Sequence, residues 1–176
     1  MVRIVSVFGS SVLAGYTIAI RIVIFSILPA WGLSNAAATL VGQNLGAQKP
    51  ERAERAAWQT GRLNMLLMGG IAVFFVAWPG FFIMLFIQDP AVVASGILCL
   101  RWLGYGFVSY GLGMVVVHSF NGAGDTATPT FINLFCFWML EIPLAYVLAL
   151  PLGLEEQGVY IAILAVPPFT DLSTRG

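Results

Sequence analysis

The sequence predicts an all-α fold, a polytopic bundle of helices that spans a membrane several times. Charged residues make up only 9% of the 176 residues, and hydrophobic residues make up 59%, whereas about 25% of a typical soluble protein is charged. Three runs without any charge cover residues 22–48, 63–88 and 102–124. Because a helix needs about 20 mostly apolar residues to cross a bilayer, each run is long enough to do so.

The first predicted crossing runs from about residue 15 to 46, with an interruption at Pro29. It follows an apolar piece at 2–8, too short to cross, and a turn at 9–11. A second helix begins near Pro50, because proline is favoured at the first helical position. Its apolar part continues to residue 87, and Pro79-Gly80 is expected to break it.

In the second half of the chain, proline and glycine again mark where the predicted helices begin and end. Asp89-Pro90 starts a third helix over about 91–120, which the glycine-rich segment 121–125 ends. A fourth helix is predicted from Pro129 to about residue 150. A last helix begins near residue 157 but reaches Pro167-Pro168 after only ten residues, so it is too short to cross.

The positive residues predict the orientation in the membrane. Lys49, Arg52, Arg55 and Arg62 cluster at one loop, which the positive-inside rule places in the cytoplasm. Alternation then places the loop at 121–129 on the same side. The eight basic and eight acidic residues balance, which gives no case for nucleic acid or for a patch that binds an anionic membrane surface. We expect a multi-pass protein of the cell (inner) membrane.

The sequence carries no motif for catalysis. Its only histidine is His118, its two cysteines lack a metal-binding spacing, and no phosphate-binding glycine-rich loop is present. We therefore expect neither an enzyme nor a bound cofactor or metal. Energy for any transport would come from an ion gradient or from elsewhere.

Three polar residues in apolar segments are the candidate substrate- or ion-binding residues: Glu141, Asn133 and Asn35. Glu141 is the only carboxylate deep in a full crossing, where a charge costs about 2.5–3.5 kcal/mol. It is either a site for an ion, a proton or a cationic substrate, or a structural group that is paired or protonated. The two asparagines could join helices through hydrogen bonds or could line a cavity.

Several stretches resemble motifs of MATE (multidrug and toxic compound extrusion) transporters. The first is AATLVGQNLGA at 37–47, followed by KPERA at 49–53. The second is NGAGDT at 121–126 with TPT at 128–130, and the third is IPLAY at 142–146 leading to PLG at 151–153. Their order and spacing agree with the family, and the similarity extends over about residues 1–166.

The resemblance implies twelve helices in two six-helix lobes, with a cavity between them for drugs or organic cations. It also implies export in exchange for sodium ions or protons. Residues 1–166 would form the second (C-terminal) transmembrane lobe, incomplete at both ends, and 167–176 a polar tail outside the family pattern. The implied partners are the lipid bilayer, the drug, the coupling cation and a first lobe that this chain lacks.

Two other functions remain open at this level. A flippase of the same superfamily would move lipid-linked sugars, and basic residues facing the cavity would favour it, a role for which Arg101 is the candidate. Alternatively, the chain would be a membrane remnant that does not transport. Without a first lobe, we expect this chain alone to be inactive.

Overall fold

The computed structural model describes residues 9–135 together with Pro143 and Val147. This part of the chain contains only helices, and three of them are long and apolar enough to cross a membrane. The predicted all-α membrane bundle is thereby confirmed. The helices are α1 (Ser10–Gly46), α2 (Pro50–Ala77), α3 (Pro79–Met84), α4 (Pro90–Gly122) and α5 (Ala127–Leu134).

Helix α1 is longer and more continuous than predicted. The turn predicted at 9–11 is absent: Gly9 has a φ of 110° and precedes the helix, which already begins at Ser10 and continues through Pro29. A proline removes one hydrogen bond from a helix, and the burial of Ile27 and Ala30 on either side of it holds the turns in line. The 37 residues span about 55 Å, at 1.5 Å per residue.

The other two long helices begin and end close to the predicted positions. Pro50 is the first residue of α2, and the helix ends before Trp78, whose φ of −130° and ψ of 48° leave the helical region. Pro79 then starts α3, so the predicted break is confirmed. Asp89 caps α4, because its Oδ1 accepts hydrogen bonds from the backbone N–H groups of Ala91 at 2.9 Å and Val92 at 3.3 Å.

Helices α1 and α4 run parallel and approach each other closely at both ends. Near their beginnings, Gly15 lies against the backbone of Val92 and Gly96, and near their ends Gly122 lies against Ala38. The loops after α1 and after α4 therefore lie at the same end of the bundle. This placement agrees with the alternation predicted from the charges.

Helix α2 runs antiparallel to α4, which it contacts from Gly61 beside Leu112 to Phe75 beside Gly104. Phe75 is 1% exposed, and its ring makes an edge contact with Phe107 at a centroid distance of 5.3 Å. The three long helices thus enclose one apolar core, and their remaining faces are exposed.

Candidate functional site

A buried polar cluster joins the three long helices at one level. The side chains of Asn64 on α2 and Ser34 on α1 are both fully buried. Asn64 Nδ2 donates to the Gly111 carbonyl of α4 at 2.8 Å and makes a longer bond of 3.4 Å to Ser34 Oγ. Ser34 Oγ donates to the Ala30 carbonyl at 2.9 Å, so the serine remains available as an acceptor.

The orientation of the Asn64 amide follows from its neighbours. The Gly111 carbonyl is an acceptor only, so the amide must present its NH2 group there rather than its oxygen. The oxygen, Asn64 Oδ1, is buried and has no hydrogen-bond partner among the described residues. Glycine at 111 permits α2 and α4 to approach each other here, because a Cβ at this position would lie 3.0 Å from the backbone carbonyl oxygen of Asn64.

Sequence reasoning missed Asn64 and Ser34. A signal was present for Asn64, because it is spaced four residues from Met68 and eleven from Phe75, positions that share one face of a helix. All three side chains are buried. A polar residue that is in phase with large apolar residues points to a polar contact inside the bundle.

A second set of polar residues lies on the opposite side of α1. Thr17, Arg21, Asn35 and Thr39 are all exposed, and their spacing of 4, 14 and 4 residues places them along one stripe of a helix with 3.6 residues per turn. We call these four residues the α1 stripe. Gly32 lies near the same line, and a Cβ there would meet nothing within 4 Å.

The α1 stripe keeps hydrogen-bonding capacity for a ligand. The two threonine hydroxyls donate back to their own helix, Thr17 to the Leu13 carbonyl at 2.7 Å and Thr39 to that of Asn35 at 3.1 Å. The Arg21 guanidinium and the Asn35 amide make no side-chain hydrogen bond to any described residue. Because charged groups in a membrane helix almost always face a bundle interior or a water-filled cavity, such a stripe is an unfavourable lipid contact.

The three predicted binding residues fall in different places. Asn35 lies on the α1 stripe, one residue from buried Ser34 but on the other side of the helix. Asn133 is half-buried on α5, the helix that packs against the end of α4. Glu141 lies outside the described residues, so its role stays a prediction, as do those of both asparagines.

Three membrane-spanning helices with a polar stripe along one of them define a multi-pass helical membrane protein. The chain belongs to the MatE family, whose model matches residues 1–147. This confirms the resemblance seen in the sequence motifs.

Curated relatives are similar to most of this chain. The chain is 25% identical to the probable multidrug resistance protein NorM of Thermotoga maritima, over 93% of this chain and 35% of the relative. It is 30% identical to proteins of the same name from Mesorhizobium japonicum, over 86% of this chain and 33% of the relative, and from Pseudomonas aeruginosa, over 88% and 33%. The chain therefore spans about a third of the length of the curated relatives it matches.

Proposed function

We propose that this chain forms most of the second lobe of a multidrug efflux transporter. That transporter exports organic cations or other drugs in exchange for sodium ions or protons. The observation that carries the proposal is the α1 stripe, which presents a guanidinium and an amide on the exposed side of an apolar helix. The names of the curated relatives, which are multidrug resistance proteins, support the same function.

In this proposal, residues 1–166 supply one wall of the substrate cavity, and 167–176 lie outside the lobe. A first lobe supplies the opposite wall. Alternating access in secondary transporters moves one bundle against the other around a central site. Half of such a cavity cannot alternate, so the chain alone inserts into the membrane without exporting drugs.

Glu141 is the proposed coupling residue. A carboxylate in a membrane cavity binds either the coupling cation or a cationic drug, so the two compete for one charge and their movements are linked. Asn35 and Asn133 would contribute amide groups that orient the drug and replace part of its water shell. Neutral amides suit this role, because they bind cations through the carbonyl oxygen without adding a second buried charge.

The test is Glu141→Gln in a two-lobe transporter that carries this chain as its second lobe. We expect drug export driven by a sodium or pH gradient to fall to background, while expression and membrane insertion stay unchanged. Glu54→Gln is the matched control, because Glu54 is an exposed carboxylate at the beginning of α2. Wild-type export by the Glu141 variant under both gradients would make this residue structural.

Export of lipid-linked sugars is the second candidate, and one observation favours it. Arg21 is exposed on α1, so it joins exposed Arg101 as a basic residue able to meet a phosphate group. Membrane vesicles that contain the same two-lobe transporter, supplied with a lipid-linked sugar instead of a drug, distinguish the two functions. Transfer of the sugar lipid across the bilayer without drug export would replace the efflux proposal.

A further inference from the structure

A groove lies between α2 and α4 at the end of the bundle that carries the loops after α1 and α4. It encloses about 360 Å³ and is lined almost entirely by apolar side chains. Ala57 and Trp58 form its α2 wall, and Leu112, Val116 and Phe120 belong to its α4 wall. The one hydroxyl in the lining, that of Ser119, already donates to the Val115 carbonyl at 2.7 Å.

Charged residues adjoin this groove along α2. Trp58 belongs both to the groove and to a neighbouring surface that includes Arg55 and Arg62. That surface also includes Glu51 and Glu54, so its charges balance in number. None of these four charged side chains forms an ion pair with another residue of the described part of the chain.

Arg62 is separated from the acidic residues along the helix, whereas Arg52 and Arg55 alternate with Glu51 and Glu54. Both carboxylates lie in the first turns of α2, where the positive end of the helix dipole favours them. Arg62 lies 11 residues beyond Glu51, which places it about 16 Å closer to the apolar part of the helix. The charge-free run begins at the next residue, Leu63. A bilayer that covers the apolar run therefore meets Arg62 before it meets the carboxylates.

We propose that the α2/α4 groove binds an anionic phospholipid. Its acyl chain would lie on the apolar walls between Trp58 and Phe120, and its phosphate would contact Arg62, with Arg55 one turn above Trp58. Basic pockets between membrane helices on the cytoplasmic side are typical sites for anionic headgroups. Trp58, 53% exposed, is the residue type enriched at this depth of a membrane.

The overall charge balance of the sequence gave no case for a surface that binds anionic lipid, because a count of charges ignores their positions. A count over the whole chain adds the carboxylates near the beginning of α2 to the charge of Arg62, which lies further along the helix. A lipid headgroup interacts mainly with charges within about 8 Å at physiological ionic strength, because salt screens the rest. Glu54, the nearer of the two carboxylates, lies 8 residues before Arg62, or about 12 Å along the helix, which still exceeds that length.

Tryptophan quenching by brominated lipids tests the proposal on the full chain in detergent micelles. Brominated phosphatidylglycerol should quench part of the fluorescence at a mole fraction about fivefold lower than brominated phosphatidylcholine, because each basic residue near a headgroup contributes about 1 kcal/mol. That part of the signal should be absent in Trp58→Phe. Arg62→Gln should remove the difference between the two lipids.

Arg52→Gln is the matched control, since Arg52 is exposed on the same helix but does not line the groove or its charged neighbour. It should keep the preference for phosphatidylglycerol. Equal loss in the Arg52 and Arg62 variants would show general charge attraction and overturn the proposal. Equal quenching by both lipids would also overturn it.

Two further experiments distinguish a bound lipid from other occupants of the groove. Ala57→Phe should fill the groove and weaken quenching of Trp58 by phosphatidylglycerol, whereas soluble glycerol phosphate should not compete. Displacement by glycerol phosphate would indicate a site for the phosphate alone and contradict the proposal. Absence of Trp58 quenching by either lipid would also contradict the proposal, because it would show that no lipid occupies the groove.

Discussion

Asn64 and Asn35 are the same type of residue in opposite environments. The side chain of Asn64 is fully buried where three helices meet, and its NH2 group is engaged with α4 and α1. The side chain of Asn35 is exposed on the α1 stripe and makes no side-chain hydrogen bond to any described residue. The first amide holds helices together, and the second has donors and an acceptor free for a ligand.

This comparison separates two roles that look alike in an apolar sequence. A polar group inside the bundle stabilises only the helix arrangement that satisfies it, because an unsatisfied group costs about 1–3 kcal/mol. A polar group on an exposed face adds little to stability and can be exchanged without unfolding the protein. Changes on the buried side of α1 should therefore affect folding, and changes on the α1 stripe should affect transport.

The largest effect is expected from aspartate at position 64. Asn64→Asp replaces the donor to the Gly111 carbonyl with an oxygen, at a distance of 2.8 Å in the present structure. A buried charge without its partner costs about 3–5 kcal/mol, so the unfolding midpoint in a detergent titration should fall sharply.

Asn35→Asp is the matched control, because it makes the same chemical change on the exposed side of α1. We expect it to reduce the free energy of unfolding by less than Asn64→Asp does, because an exposed side chain on α1 can turn its carboxylate towards water, whereas one enclosed by three helices cannot. Equal destabilisation by both aspartates would break the comparison, since it would place Asn35 in a dry, packed environment.

Two glycines of α1 extend the comparison from polar groups to packing. At Gly15, a Cβ would lie 2.7 Å from the Gly96 nitrogen and 2.7 Å from the Val92 carbonyl oxygen, and backbone atoms cannot turn away. Gly15→Ala should therefore push α1 from α4 and reduce the free energy of unfolding by about 1–3 kcal/mol. The unfolding midpoint in the same detergent titration measures this loss.

Gly32→Ala provides the control within the same helix. Its added Cβ meets nothing within 4 Å, and alanine is about 0.8–1.0 kcal/mol more favourable than glycine inside a helix. The two substitutions should therefore change stability in opposite directions. A shift of the same sign in both would show that the α1 stripe is as tightly packed as the contact with α4.

The sequence predicted the fold well where local chemistry decides it. Pro50, Asp89 and Pro79 begin or break helices in the structure as predicted, because each acts within one turn of its own position. Pro29 was the exception. The packing of the turns on both sides of it keeps α1 continuous, and that packing depends on residues of other helices that no local pattern contains.

The candidate site was less accessible to sequence reasoning. Apolar periodicity does not say which face of a membrane helix is buried, because lipid-facing and core-facing residues are both apolar. The sequence singled out Asn35 as a candidate binding residue, but only the packing of Ser34 against its neighbours shows which side of α1 is buried. The role of Asn35 in binding stays a prediction, as does that of Glu141.

Asp125 makes an exposed polar contact beyond the end of α4, and the smallest effect on stability is expected there. Its Oδ1 accepts from the backbone N–H of Thr128 at 3.0 Å and thereby supports the beginning of α5. The Thr128 side-chain hydrogen bond, followed by this backbone bond, lowers the pKa of Asp125 from 3.8. A carboxylate whose pKa is lowered by folding stabilises the folded protein fully when the pH is above its ordinary, unfolded-state pKa. This stability is lost as the pH falls through the lowered pKa of the folded state.

Thr128→Val removes the largest cause of this shift and keeps a side chain of similar shape. The pKa of Asp125 should rise towards its ordinary value, so the carboxylate is protonated at a higher pH on acidification. A carbon-13 NMR titration of the Asp125 carboxyl group measures this directly, with Thr130→Val as control because the Thr130 hydroxyl donates to the Thr126 carbonyl instead. The unfolding midpoint at neutral pH should change little, because Asp125 is partly exposed and its contact is screened by solvent. An unchanged titration in Thr128→Val would mean that the backbone N–H alone sets the pKa of Asp125. A large loss of stability at neutral pH would mean that this end of α5 is packed like the interior around Asn64.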